Sequence, residues 1–188
     1  MADAASRLVQ AFTRRGLTFG TAESLTGGMI AARTAGVSGA SAVLMGGVVA
    51  YDPRIKREVL GVEQNVMDTV GVVSAECAQQ MAEGARRVLG VDVAVSATGL
   101  AGPAGGTPET PVGTVFIGVS SESGTRVDEC HFTGDRQSVR EQSAEHALKM
   151  ALEAAGESPS NEPQTGTLAE IVGGVIETVI DIVTEILD

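Results

Sequence analysis

The chain has 188 residues, enough for one domain with a sizeable core; 43% of them are apolar but only 3% aromatic. A formal net charge of −11 argues against nonspecific nucleic-acid binding and against anionic membranes, both of which need a basic surface. Cys77 and Cys130 belong to no paired-cysteine motif, so neither zinc nor a redox pair is indicated. The amino terminus lacks the basic-then-apolar order of a signal peptide, and no apolar run is long enough to span a bilayer, which predicts a cytoplasmic protein.

In chain order, Asp3 to Arg15 carries Leu8, Val9 and Phe12 on one face and reads as an amphipathic helix ended by Gly16. Leu17–Ala22 is a first strand and Gly28–Ala35 a helix. Val43–Tyr51, apolar and β-branched around Gly46 and Gly47, predicts a second, buried strand. Arg54–Leu60 is a short helix closing at Gly61. Ser74–Leu89 is a longer helix, with Ser74 as its cap and Gly90 just past its end. Val91–Ala97 alternates with period two and is a third strand. After a Gly/Pro loop from Gly99 to Pro111, Val112–Val119 and Thr125–Phe132 form a hairpin. Asp135–Ala155 is a long helix. Strands interleaved with helices, then a late hairpin, predict a three-layer α/β/α sandwich with a mixed, mostly parallel sheet over residues 1–155.

Residues 156–167 are rich in Ser, Pro, Asn, Glu and Gly and read as a flexible linker. In 168–188, Leu168, Ile171, Val172, Val175, Ile176, Val179, Ile180, Val183, Ile186 and Leu187 recur every three or four positions. That stripe predicts an amphipathic helix about 30 Å long. Its Val/Ile content and the Gly173-Gly174 pair make it weak alone, so it needs a partner surface. Self-association, docking on another protein and folding back on its own domain all satisfy that need.

Three loops fall at predicted strand ends, where open α/β sheets bind ligands. The first holds Glu23, Ser24, Thr26, Gly27 and Gly28, at a strand-to-helix turn. The second runs from Tyr51 through Asp52, Pro53 and Arg54 to Lys56. The third runs from Thr98 to Thr107 and includes Gly99, Gly102, Gly105 and Gly106; it matches neither the P-loop nor the dinucleotide fingerprint. Arg136 and Arg140 share a helix face near the start of the long helix; they read either as a solvated face or as a paired phosphate site. Ser24 needs a base to act as a nucleophile, and Lys56 can be that base only with a depressed pKa. Spacing alone favours reading Lys56 as a surface residue on a short helix. Neither His131, mid-strand, nor His146, mid-helix, suits a triad.

These segments together resemble a known family. Ala22-Glu23-Ser24-x-Thr26-Gly27-Gly28, Tyr51 and Lys56 before Gly61-Val62, Thr98-Gly99-x-Ala101-Gly102-Pro103, Pro111-Val112-Gly113-Thr114-Val115, and Gly134-Asp135-Arg136 with Val139-Arg140 are similar, in order and spacing, to the carboxy-terminal domain of the competence/damage-inducible protein CinA, the nicotinamide-nucleotide amidohydrolase family. The resemblance covers about residues 5–155. It implies an α/β/α fold, no cofactor, no required metal, a homodimer or larger assembly, and hydrolysis of nicotinamide mononucleotide to nicotinate mononucleotide and ammonia. It implies Ser24 as nucleophile, Lys56 as general base and Tyr51 as support for that pair. Thr26, Gly27, Gly28, Thr98, Gly99, Gly102, Gly105, Gly106, Arg136 and Arg140 would bind the substrate, Arg140 at its phosphate or at developing charge. The amides of Gly27 and Gly28 are the expected oxyanion donors. Leu25 stands where the family often has Cys and is expected to pack inward; Thr110 stands where many members have Lys. Many relatives carry an amino-terminal domain as well, and this chain reads as a stand-alone form. The competing reading is a module that binds a nucleotide or phosphate without turnover and recruits a partner through residues 168–188.

Overall fold

A computed structural model describes residues 3–157; the helix expected at 168–188, and all of the expected linker after residue 157, lie outside the described residues. Helix α1 spans Ala4–Arg15. Asp3 caps it by accepting from the Ser6 amide at 2.8 Å, and Gly16 ends it in the left-handed region at φ 65°. Strand β1, Phe19–Glu23, begins two residues later than expected. Leu17 is spent on the helix end, where its amide donates to Phe12 O, and Thr18 is held by Asp92 through both amide and hydroxyl.

The remaining described elements are α2 (Met29–Ala35), a 3-10 turn at Ala40–Ala42, β2 (Leu44–Val49), α3 (Pro53–Glu58), α4 (Gln64–Thr69), α5 (Ala75–Leu89), β3 (Val93–Gly99), β4 (Thr114–Ser121), β5 (Gly124–His131) and α6 (Arg136–Ala154). The sheet order is β2-β1-β3-β4-β5. β2, β1 and β3 pair in parallel, and β3–β4 and β4–β5 pair antiparallel, so only β4 runs against the other four strands. This is the mixed, mostly parallel sandwich that the sequence predicts.

Three local expectations need correction. β2 is not buried: it is an edge strand whose residues alternate between half-buried and exposed, with Met45 and Val49 facing solvent. β3 continues through Thr98 and Gly99, because β4 pairs with both, Phe116 opposite Thr98 and Val115 opposite Gly99. The hairpin closes over two residues, Glu122 and Ser123, since Ser121 and Gly124 still pair. Helix α4 is unexpected from the sequence; it buries no residue fully and only Val66 and Met67 lean on the core.

Each face of the sheet has its own apolar cluster. On one, α1, α2 and α6 cover Phe19, Val93, Val95, Val115 and Ile117, and Phe12 meets Phe19 edge to face at 5.9 Å. On the other, α5 covers Ala22, Ala94 and Val91 with Cys77, Met81 and Ala85. That second layer is thin because small residues let the backbones approach. Ser96 donates to Ala78 O at 2.6 Å, and a side chain at Gly118 would meet both groups. Gly84, inside α5, lies against the Leu60 carbonyl, with no room for a Cβ. Gly84→Ala would gain about 1 kcal/mol of helix propensity on an open surface. Here urea denaturation should instead show a loss of about 1–3 kcal/mol, the range for overpacking; a stabilised variant would contradict the close approach.

Candidate active site

β1 ends at Glu23, and the Ser24 amide makes the last sheet bond, to Ala97 O at 2.9 Å. The chain then turns sharply: the Gly27 amide donates to Ser24 O at 3.0 Å, and Gly27 and Gly28 take φ 61° and 96°, which only glycine adopts cheaply. Beneath the turn the Glu23 side chain folds back with no solvent exposure. Its Oε2 accepts from the amides of Gly28 at 2.9 Å and Ile30 at 3.0 Å, and its Oε1 from the Ala31 amide at 2.9 Å and the Thr21 hydroxyl at 3.0 Å. A carboxylate suits this place because the first amides of α2 have no helical partner and carry partial positive charge.

The amides of Gly27 and Gly28 are therefore committed, and the expectation that they serve as oxyanion donors fails. The amides of Leu25 and Thr26 donate to no group among the described residues. The Thr26 hydroxyl is also buried without a partner. Leu25 packs inward, as expected.

Lys56 is 1% exposed, so the surface reading of it is overturned. Asp52 caps α3 and Pro53 opens it, and of this short helix only Lys56 is buried. Its Nζ donates to Ala50 O at 2.9 Å and to Met81 Sδ at 3.7 Å. Burial brings its pKa from 10.5 down to about 8, with a small opposing influence from Cys77. Burial in turn pushes the Cys77 thiol upward, so it stays protonated near neutrality.

Ser24 and Lys56 belong to the same side of the sheet. Along β1, Phe19 faces the α1/α6 layer and Ala22 the α5 layer; continued alternation puts Ser24 on the α5 side, with Lys56 and Met81. Ala50 joins the two: its amide donates to Glu23 O at 2.8 Å and its carbonyl takes the Lys56 ammonium. Ser24 Oγ and Lys56 Nζ are not hydrogen-bonded to one another.

The three loops do converge, through two arginines. Arg136 donates from Nη1 to Gly102 O at 2.8 Å and from Nη2 to the Tyr51 hydroxyl at 3.0 Å, tying the second loop to the third. Tyr51, 60% exposed, thus bonds Arg136 and neither Ser24 nor Lys56. Arg140 donates from Nε to Leu25 O at 3.1 Å, from Nη2 to Thr26 O at 2.8 Å and from Nη1 to Gln137 at 3.1 Å. A guanidinium has five N–H donors, so both keep some for a ligand.

Thr98 spends its hydroxyl on Val72 O at 2.7 Å. Gly99 is pressed against β4, where a Cβ would come within 2.6 Å of Thr114 O. Gly105 and Gly106 stay exposed in the third loop. Sequence reasoning missed the internal bonding of Glu23 and the part played by Met81. An acidic residue at a strand end just before a helix start was the available signal for the first; for the second there was none.

Concavities are found away from this turn. A cleft of about 570 Å³, lined by Arg86, Arg87, Gly90, Ser121 and Thr125 among others, sits beyond the amino end of β3, opposite the Ser24 turn. Among the described residues no group of three or more His, Cys, Asp and Glu is placed to hold a metal ion, and no helix is long and apolar enough to cross a membrane.

Comparison with known proteins agrees with this architecture. The family model described as the CinA C-terminal domain matches residues 1–155. A CinA-like protein of Thermotoga sp. (strain RQ2) is 45% identical over 142 residues, 76% of this chain and 35% of the relative. One from Leptospira borgpetersenii is 48% identical over 126 residues, 66% of this chain and 30% of the relative. The chain thus spans about a third of the length of these curated relatives. Among solved structures, the competence/damage inducible protein CihA from Agrobacterium tumefaciens superposes with a TM-score of 0.79 at 38% identity, covering 82% of this chain and 94% of that one. A CinA superfamily protein from Klebsiella pneumoniae gives 0.78 at 33% identity, covering 81% and 96%.

Two outcomes follow from the geometry of the turn and of Lys56. Glu23→Ala leaves three amides and a hydroxyl without their acceptor, and urea unfolding should show a loss of about 3 kcal/mol or more; an unchanged midpoint would mean the carboxylate does not organise the turn. Between about pH 8 and 10.5 the unfolded chain keeps the Lys56 proton that the folded chain has released. Stability should therefore rise with pH across that window, and Lys56→Met should flatten the rise. Equal slopes for the two proteins would show that Lys56 titrates normally.

Proposed function

The chain belongs to the CinA C-terminal domain family, and from that membership and the chemistry around Ser24 we propose that it hydrolyses the carboxamide of nicotinamide mononucleotide to nicotinate mononucleotide and ammonia. The single observation that carries this reading is Lys56: a lysine 1% exposed, with no carboxylate partner among the described residues and a pKa of about 8, on the Ser24 side of the sheet. A buried amine of that kind is costly to keep and suits proton transfer near neutral pH.

In the proposed reaction neutral Lys56 takes the proton of Ser24 Oγ as that oxygen attacks the carboxamide carbon. Negative charge then develops on the carbonyl oxygen. The amides of Leu25 and Thr26 replace those of Gly27 and Gly28 as its donors, since they alone in the turn are uncommitted. The C–N bond breaks as Lys56 returns its proton to the departing nitrogen, releasing ammonia and leaving an ester on Ser24. Water, deprotonated by Lys56, attacks that ester, and the proton goes back to Ser24 as the acid leaves. In the proposed complex Arg136, exposed at the junction of Tyr51 and Gly102, takes the substrate phosphate with its remaining donors. Arg140 shapes the turn through its carbonyls and binds ligand only secondarily. A homo-oligomer remains part of the proposal.

Ammonia release from nicotinamide mononucleotide by the purified protein tests the reading. Wild type should release it, and Ser24→Ala should lose roughly 10³-fold or more of kcat. kcat/KM should rise with pH to a plateau above about 8, because the base acts only when neutral. Binding of the nucleotide without ammonia release would favour a non-catalytic module instead.

A further inference from the structure

The surroundings of Lys56 contain a residue that the reaction above does not use. Met81 is fully buried on α5 and presents its sulfur to Lys56 Nζ at 3.7 Å. From this geometry we propose that the Met81 thioether is a positioning residue that fixes the direction of the Lys56 lone pair. The proposal rests on the assignment of Lys56 as base.

A neutral amine has four tetrahedral directions: the bond to Cε, two N–H bonds and one lone pair. Ala50 O at 2.9 Å takes one N–H and Met81 Sδ takes the other. No other group among the described residues accepts from Nζ, so the lone pair occupies the one remaining direction. Without the sulfur, rotation about Cε–Nζ would spread the lone pair over two directions, one of them facing the core. A base held in one orientation meets its proton without first paying for that search.

The type of acceptor matters as much as its position. A carboxylate at this place would orient Nζ equally well, but it would stabilise the ammonium and leave the amine protonated. A thioether is a weak, polarisable acceptor and orients the amine with little bias toward the charged form. Among the described residues the other elements around Nζ bring no competing charge. On α5 the one titratable neighbour is the Cys77 thiol, kept neutral by burial, and the segment leading into α3 offers only the Ala50 carbonyl.

Met81→Leu keeps the volume and removes the acceptor, a change that cores tolerate. Met81→Gln supplies a stronger acceptor on a chain of similar reach. The measurement is the pH profile of kcat/KM for nicotinamide mononucleotide, with kcat and KM separated and thermal unfolding recorded. In Met81→Leu we expect kcat to fall about three- to tenfold with KM within twofold, and the acid limb to move to lower pH by about half a unit. In Met81→Gln the limb should move to higher pH. Loosened packing cannot produce opposite shifts in the two variants. Wild-type kcat and an unmoved limb in Met81→Leu would overturn the proposal while leaving the amidohydrolase reading intact. Full turnover by Lys56→Met, or an inert wild type, would overturn the assignment of the base and the role of Met81 with it.

Discussion

Glu23 is the group on which the arrangement of the site depends. Its carboxylate lies between the end of β1 and the start of α2 and accepts from three amides and the Thr21 hydroxyl. A buried carboxylate is costly unless its lone pairs are filled, and here four donors fill them. Those donors belong to residues 21, 28, 30 and 31, so satisfying the charge also fixes the path of residues 24–28. Ser24 sits at the head of that path. The turn is rigid because loosening it would expose an unpaired charge to an apolar surrounding, which is a stronger constraint than turn propensity.

The same constraint decides which groups are left for chemistry. Once Gly28 has given its amide to Glu23 and Gly27 has given its own to Ser24 O, the donors remaining in the turn are the amides of Leu25 and Thr26 and the hydroxyls of Ser24 and Thr26. Arg140 reinforces the pattern from α6, because it takes the carbonyls of those same two residues. The peptide unit between Leu25 and Thr26 is thus held at its carbonyl by Arg140 and left open at its amide, whereas the next unit is held at both ends, its Gly27 amide by Ser24 O. An orientation of this kind suits a developing negative charge more than it suits fold stability.

How much of this is legible in the sequence depends on whether the deciding force is local. Ser74, Gly16 and Gly90 read correctly because caps and left-handed turns act within a few residues, and Asp3 and Asp135, read as first helical residues, stand one place earlier as the caps. The period of α5 and the hairpin likewise follow from local pattern. β2 reads as buried because its composition is that of a central strand, whereas strand order, a non-local property, puts it at the edge. β3 reads two residues short because its extension through Thr98 and Gly99 is specified by β4 across the sheet. Within the site, the chemistry-bearing residues were readable as types at spacings. Their states were not: that Lys56 is buried, that the two arginines already hold carbonyls, and that Met81 faces an amine all arise from elements distant in sequence.

The close packing of α5 on the sheet connects these observations to function. Small residues at Ala78, Gly84 and Gly118 let the helix backbone approach until it touches Leu60 O and Ser96 Oγ. That approach buries Lys56, and it carries Met81 and Cys77 to the amine. A looser layer, with larger side chains between helix and sheet, would admit solvent and return the lysine toward its ordinary pKa. The fold accepts a buried amine, a group that opposes stability below about pH 8; for the proposed reaction the gain would be an amine with a far larger neutral fraction than an unburied lysine has. The glycines and alanines of the α5 layer would therefore act on the proposed reaction without touching it. Substitutions there are expected to alter proton transfer and stability together, whereas those in the α1–α2–α6 layer act on stability first.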